Sequence, residues 1–184
     1  MIRVTTLLLA LLLLLAAAGC AMTEDVNDDP NPAGTDDLAQ IYAAAIPEIH
    51  AYARSTSLVY LVTTTEDLAC CDAPVAPSQK IPTELQEAIT AELAGEPYEL
   101  IWIESFDDAP KGPIKPDSED GWIIAEGDGM VITLGNIHPQ EDGSVQLSFF
   151  MTCADVCGAG KTLVLNQQYN NWHVTGSVGP EIAS

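Results

Sequence analysis

The chain has 184 residues, with 6 basic against 27 acidic side chains and a formal net charge of −21. Such a surface repels nucleic acid and anionic lipid headgroups and excludes them as partners, leaving a cationic partner, a protein partner or calcium as compatible. The length accommodates one compact domain and a tether.

Residues 1–19 have the three parts of an export signal: a short basic start with Arg3, an apolar run from Leu7 to Leu15, and small residues Ala16 to Gly19. The apolar run falls short of the ~20 residues a spanning helix needs. The stretch Leu15-Ala16-Ala17-Ala18-Gly19-Cys20 resembles the lipobox of bacterial lipoproteins, with Ala17 where that family more often has Leu. The resemblance implies a signal peptide over 1–19, a diacylglycerol on Cys20 as the new N-terminus, and a place in the cell envelope, on the extracytoplasmic side of a bacterial membrane. Two or more acyl chains, palmitate among them, hold a protein stably without a basic patch.

Residues 20–35 then form an acidic tether. Glu24, Asp25, Asp28 and Asp29 repel one another, and Pro30 and Pro32 block a helix. Asp29 and Asn31 match the first positions of an EF-hand loop, but Ala33 and Gln40 fail the third and the last, so no EF-hand is expected.

The remainder, 36–184, reads as a single α+β domain. Thr35 with Asp36 and Asp37 suits a helix start, and Leu38, Ile41, Tyr42, Ala45, Ile49 and Tyr52 recur at helical spacing. Pro47 is expected to kink or split this helix. Leu58 to Thr65 reads as a strand, 66–81 as an irregular segment, and Thr83 with Gln86 as a capping box opening a second helix that ends at Gly95. Tyr98 to Glu104 is the next strand, and 105–121 a long acidic, Pro-rich loop.

Trp122 to Ala125 and Met130 to Leu134 read as strands flanking a turn at 126–129. Val145, Leu147, Phe149 and Met151 alternate with polar residues, the period of a half-buried strand. Thr162 to Tyr169 and Trp172 to Val178 form a hairpin turned by Asn170 and Asn171. Together these elements predict two helices packed on one face of a curved antiparallel sheet of five or six strands. The last hairpin, with Tyr169, Trp172, His173 and Val174, is similar to that of NTF2-like and cystatin-like proteins. The helix Ile41 to Tyr52, the strand Val59 to Thr64 and the run Gly135-Asn136-Ile137-His138-Pro139 resemble a group of uncharacterised bacterial secreted proteins, a likeness that carries no activity with it.

With Cys20 lipidated, Cys70, Cys71, Cys153 and Cys157 remain, an even number in an oxidising compartment, and two disulfides follow. A bridge between adjacent Cys70 and Cys71 closes a very small strained ring, which favours the pairings that tie the 66–81 loop to the turn after Met151. The spacings C-C and C-x-x-x-C match neither a thioredoxin-like site nor a zinc ribbon. Gly158-Ala159-Gly160-Lys161-Thr162 has the end of a P-loop, but Asp155 stands where its first glycine belongs and Leu163-Val164-Leu165 continues as a strand. The glycines read as a β-turn, and no nucleotide partner is expected.

His50, His138 and His173 come without a nucleophile elbow or zinc-protease helix, and the carboxylate pairs Asp107/Asp108 and Glu119/Asp120 read as solvated surface. Trp102, Trp122 and Trp172 read as core or rim residues. Phe150, on the polar side of its strand, points to an apolar patch on the second face of the sheet. The sequence thus favours a lipid-anchored extracytoplasmic binding or interaction domain, non-enzymatic and without a cofactor or metal. Its competitor is a small cell-envelope hydrolase or isomerase with His138 or His173 as base, and a third reading puts calcium in the Asp107–Asp120 loop.

Overall fold

The computed structural model describes residues 34–53, 56–68, 75–109, 129–153 and 157–183. Cys20 and the tether up to residue 33, Cys70 and Cys71, the expected strand Trp122 to Ala125 and most of the acidic loop lie outside them, while Thr35, expected as the tether's last residue, is the first of a helix. The described residues all belong to one compact unit, Pro32–Ser184.

Helix α1 spans Thr35–His50 and buries Ile41, Tyr42, Ala45 and Ile49 as expected from their spacing, with Ala39 and Ile46 beside them. Of the other two residues expected on this face, Leu38 is half-buried and Tyr52, on the 3₁₀ turn beyond the helix, is 41% exposed. Its start departs from expectation. Gly34 is the residue before the first turn and no side chain caps it, because Thr35 is already helical; Asp36 and Asp37 alone meet the positive end of the dipole. Pro47 does not split the helix. It stands in the last turn, where its missing N–H removes one bond, and the chain runs on to His50 and a 3₁₀ turn at Ala51–Ala53.

Helix α2 spans Thr83–Glu92 with Leu85 and Ile89 buried. The expected capping box is absent, since Pro82 occupies the cap position and puts Thr83 inside the helix. Gln86 turns back instead, its Nε2 donating to the Ile81 carbonyl at 2.7 Å. Gly95, at φ +115°, takes the left-handed turn beyond the helix.

The strands are β1 (Leu58–Val62), β2 (Glu99–Ile103), β3 (Met130–Pro139), β4 (Val145–Cys153), β5 (Cys157–Gln168) and β6 (Asn171–Ala183). They form one six-stranded sheet in the order β2-β1-β3-β4-β5-β6. The α+β class and a mostly antiparallel sheet agree with the sequence expectation, but β1 runs parallel to both its neighbours. The reason is connectivity: α2 lies between β1 and β2, and a helical crossover returns the chain in the same direction.

One face of the sheet carries Leu61, Ile132, Leu134, Leu147, Phe149, Met151 and Leu165, which form a single core with Ile41, Ile46, Ile49, Leu85 and Ile89 of the helices. Trp102 and Trp172 pack at its margin, as expected of rim residues. The opposite face has a smaller cluster of Tyr60, Val62, Ile103, Ala109 and Val131, against which Phe106 packs. Phe106 sits on a 3₁₀ turn, Phe106–Asp108, held by Asp108 accepting from the Ser105 hydroxyl at 2.9 Å and the Ser105 N–H at 3.0 Å.

Two local readings are corrected. Gly158 and Gly160 are strand residues of β5, paired with Thr152 and Phe150, and not a turn. The β5–β6 hairpin turns at Tyr169 and Asn170, both at positive φ (51° and 64°), while Asn171 pairs with Gln168. This is the primed turn that matches strand twist. Tyr169 is 98% exposed and makes no packing gain to offset the left-handed backbone. Tyr169→Asn is therefore expected to raise stability by about 0.5–1 kcal/mol, checked by urea unfolding with an unchanged m-value.

Candidate functional site

After Val62 the chain leaves the sheet and lies across its second face as a strap. Thr63 N–H still donates to the Ile103 carbonyl, and Glu66 N–H to the Leu134 carbonyl at 2.8 Å. The returning segment pairs back on it, with Thr65 N–H on the Gln79 carbonyl and Ile81 N–H on the Thr63 carbonyl, both at 2.8 Å. The strap thus pairs its Thr63, Thr65 and Glu66 N–H groups and its Thr63 carbonyl although it lies outside the regular ladder.

Beneath it β3 carries a bulge. Leu134 pairs with Phe149 but Ile137 pairs with Leu147, so three steps along β3 match two along β4. The extra residue returns Ile137 to the main core and leaves Asn136 and His138 on the strap side, with Ser148, which alternates with the core residues Leu147 and Phe149.

These polar residues converge on Asp67, whose side chain has no exposed surface. Its Oδ1 accepts from the Asn136 backbone N–H at 2.8 Å and more distantly from the Ser148 hydroxyl at 3.4 Å. Its Oδ2 accepts from the Asn136 side-chain amide at 2.8 Å, the Ala76 N–H at 2.9 Å and His138 Nε2 at 3.0 Å. Because the carboxylate only accepts, the His138 proton sits on Nε2. Thr65 extends the network, its hydroxyl donating to Asn136 Oδ1 at 2.8 Å and accepting from Gln79 N–H at 2.9 Å. Tyr42 of α1 reaches the Gly135 carbonyl at 3.2 Å.

Burial by itself pushes the Asp67 carboxyl up. The bonds from the Asn136 side chain, the Ala76 and Asn136 backbone and His138 outweigh it and hold the group below its ordinary value. The Tyr42 hydroxyl is pushed well above its ordinary value by burial and then by the Asp67 charge.

Two glycines make room for the strap. A Cβ on Gly135 would meet the Ser148 side chain, Asp67 Oδ1 at 2.7 Å and the Ser148 carbonyl at 2.9 Å. A Cβ on Gly160 would meet Leu68 Cδ1 at 2.8 Å. Gly160, met in the sequence as the end of a failed P-loop, is where Leu68 lies against β5.

Between the strap and the Phe106 turn is a groove of about 350 Å³ lined by Glu66, Leu68, Phe106, Thr133 and Phe150. Thr133 and Phe150 are cross-strand partners, and Phe150 is 38% exposed in the groove wall. The patch expected around Phe150 is therefore a concave feature.

The three histidines do not meet. His50 is buried, its Nε2 3.0 Å from the Thr56 carbonyl and its ring 4.4 Å from that of Tyr98. His138 faces Asp67. His173 is exposed on β6, paired with Asn166, three strands from His138 in the sheet order and so at least roughly 14 Å away, backbone to backbone. Asp107 and Asp108 are exposed, as expected, and Asp108 is occupied in capping.

Cys153 is disulfide-bonded, and Cys157 stands across from it in the β4–β5 register. The expected bridges to the 66–81 loop fall on Cys70 and Cys71, outside the described residues. Among the described residues no cluster of three or more His, Cys, Asp or Glu is placed to hold a metal ion, and no helix is long and apolar enough to cross a membrane.

Asp67 was not singled out in the sequence. The available signal was Asn136 and His138, polar and two apart in a mostly apolar strand; their common partner lies 69 residues from Asn136 along the chain, a separation no local pattern reports. Comparison of the chain with family models, curated proteins and solved structures finds no match.

Proposed function

We propose that this chain is a lipid-anchored, extracytoplasmic binding domain, held at a bacterial membrane through Cys20, that takes a small ligand in the groove on the second face of its sheet. The groove between the strap and the Phe106 turn carries the reading: it is concave, it has two aromatic rings and a leucine in its wall, and two of its lining residues, Glu66 and Leu68, flank the hydrogen-bonded Asp67. Ligand sites combine such an apolar wall with a few polar groups, here Glu66 and Thr133. The network serves as support, because both Asp67 oxygens are taken up by donors and the Ser148 hydroxyl is engaged by Asp67 and the Leu68 N–H.

The anchor is tested by metabolic labelling with a palmitate analogue. Label is expected in the wild-type chain and not in Cys20→Ala, and equal labelling of the two would remove the anchor from this reading.

A second reading rests on the Asp67–His138 pair at 3.0 Å, which has the form of a carboxylate orienting an imidazole base in a hydrolase or isomerase. Ser148 is a poor nucleophile for it, since its hydroxyl faces the carboxylate of the pair. His138→Ala and His173→Ala together are expected to leave cell-envelope hydrolase and isomerase activities unchanged. A loss of any one of them, with the fold intact by circular dichroism, would favour the enzyme.

A further inference from the structure

The groove has a chemical preference written into its wall. Leu68, Phe106 and Phe150 supply the apolar surface, Thr133 a hydroxyl, and Glu66 the one ionisable side chain of the lining; Glu66 is exposed at the rim. Among the described residues lining it there is no lysine, arginine or histidine. The basic residue of the returning segment, Lys80, bridges to Thr64 of the strap and is not among the lining residues; its charge is paired with Glu104 at 3.1 Å. Asp107 and Asp108 lie on the same turn as Phe106 and are exposed. Beyond the groove the whole chain carries 27 acidic side chains against 6 basic ones, so the surrounding field is negative as well.

An anionic ligand, a fatty acid or a phosphate ester, would enter this groove against the field and meet no counter-charge among its described lining residues. A neutral apolar ligand would use the aromatic wall and leave the Glu66 carboxylate idle. A cation with an apolar body uses all of it: the body lies on Leu68 and the two phenyl rings, the charge is drawn to Glu66 and to the negative faces of the aromatic rings, and Thr133 can accept an N–H. We propose that the ligand of this groove is a small organic amine, protonated and carrying an aromatic or short aliphatic body, with Glu66 as the residue that selects the charge. The proposal rests on the groove being a binding site at all, and a cavity of about 350 Å³ suits a molecule of roughly ten non-hydrogen atoms.

Three probes with the same phenylpropyl body and different charge separate the possibilities: 3-phenylpropan-1-amine, 3-phenylpropan-1-ol and 3-phenylpropanoate. They are titrated by calorimetry against the full chain in non-ionic detergent, with a protein-free detergent blank. The amine is expected to bind at least ten times more tightly than the alcohol, and the carboxylate most weakly, with the amine's advantage shrinking as salt is added.

Glu66→Gln is expected to bring the amine down to the alcohol while leaving the alcohol unchanged. Phe150→Ala is expected to weaken both by a similar factor. Equal binding of amine and alcohol to the wild type, or an amine preference that survives Glu66→Gln, overturns the amine assignment and leaves the groove as a binding site. No binding of any probe, or binding indifferent to Phe150→Ala, overturns both. Glu66 and Phe150 are both exposed, so the near-ultraviolet spectrum of each variant is expected to match the wild type.

Discussion

Replacing Asp67 by Ala is expected to cost about 3–5 kcal/mol of stability, among the largest effects of any single substitution in this domain. The carboxylate is fully buried and receives the Asn136 backbone and side-chain N–H groups, the Ala76 N–H and the His138 ring within 3.0 Å. Alanine removes the acceptor and leaves these donors facing one another across a small void, each short of a partner that water reaches poorly. The strap and the returning segment then lose their hold on the β3 bulge together. Thermal unfolding is the measurement, with a fall in Tm on the order of 10 °C expected for a chain of this size. A fall of only a degree or two would mean that the strap stands on its backbone pairing alone.

Asp67→Asn separates charge from shape. The amide keeps the volume and one acceptor, so a smaller loss, about 2 kcal/mol, is expected at neutral pH. The two forms differ in acid. Asp67 sits below its ordinary value when folded, against about 3.9 when unfolded, so its contribution is complete only above about pH 5. As the pH falls further the unfolded chain takes the proton first, stability declines, and the contribution is gone once the folded group has protonated as well. Urea midpoints from pH 5 down to pH 2 are expected to drop more steeply in the wild type than in Asp67→Asn. Parallel curves would show that other carboxylates carry the acid limb.

The parts of this fold that follow from local pattern were legible in the sequence, and those that depend on distant partners were not. Ile41, Tyr42, Ala45 and Ile49 repeat at the helical period and are buried, and Leu147, Phe149 and Met151 alternate and are buried, because periodicity and burial are the same geometric fact. The parallel placement of β2 beside β1 was missed, since strand direction is decided by the crossover and leaves no mark on the strand's own residues. The caps of both helices were misplaced by one residue for a similar reason. Thr35 and Thr83 have the right side chains, but Gly34 and Pro82 take the extended conformations that precede the first turn. At the groove Phe150 was visible as an apolar residue on a polar side, whereas Glu66, Leu68 and Phe106 join it only through the strap and the 3₁₀ turn.

Gly135 shows how far the site depends on one missing side chain. In β3 a glycine is a cost: it contributes no packing and more freedom to the unfolded chain, so a residue with a Cβ is favoured unless something occupies that space. Here the space holds the Asp67 carboxylate and the Ser148 carbonyl, at 2.7 and 2.9 Å from where a Cβ would stand. The first can retreat only by breaking its bonds to Asn136, and the second is backbone within the β3–β4 ladder. Gly135→Ala is therefore expected to destabilise by about 2–3 kcal/mol, through overpacking and the loosened network together. Gly160→Ala is the control, because the atom it meets is the end of the Leu68 side chain, which can rotate away; a loss below about 1 kcal/mol is expected there. The two variants also separate stability from binding. Gly135→Ala acts on the anchor of the strap behind the groove, while Gly160→Ala moves Leu68, which lines it. At a temperature where both remain folded, Gly160→Ala is expected to change ligand affinity more than Gly135→Ala does, although it disturbs the fold less. The reverse order, or equal losses of stability in the two, would mean that the strap adjusts as a unit and that Asp67 does not fix its position over the sheet.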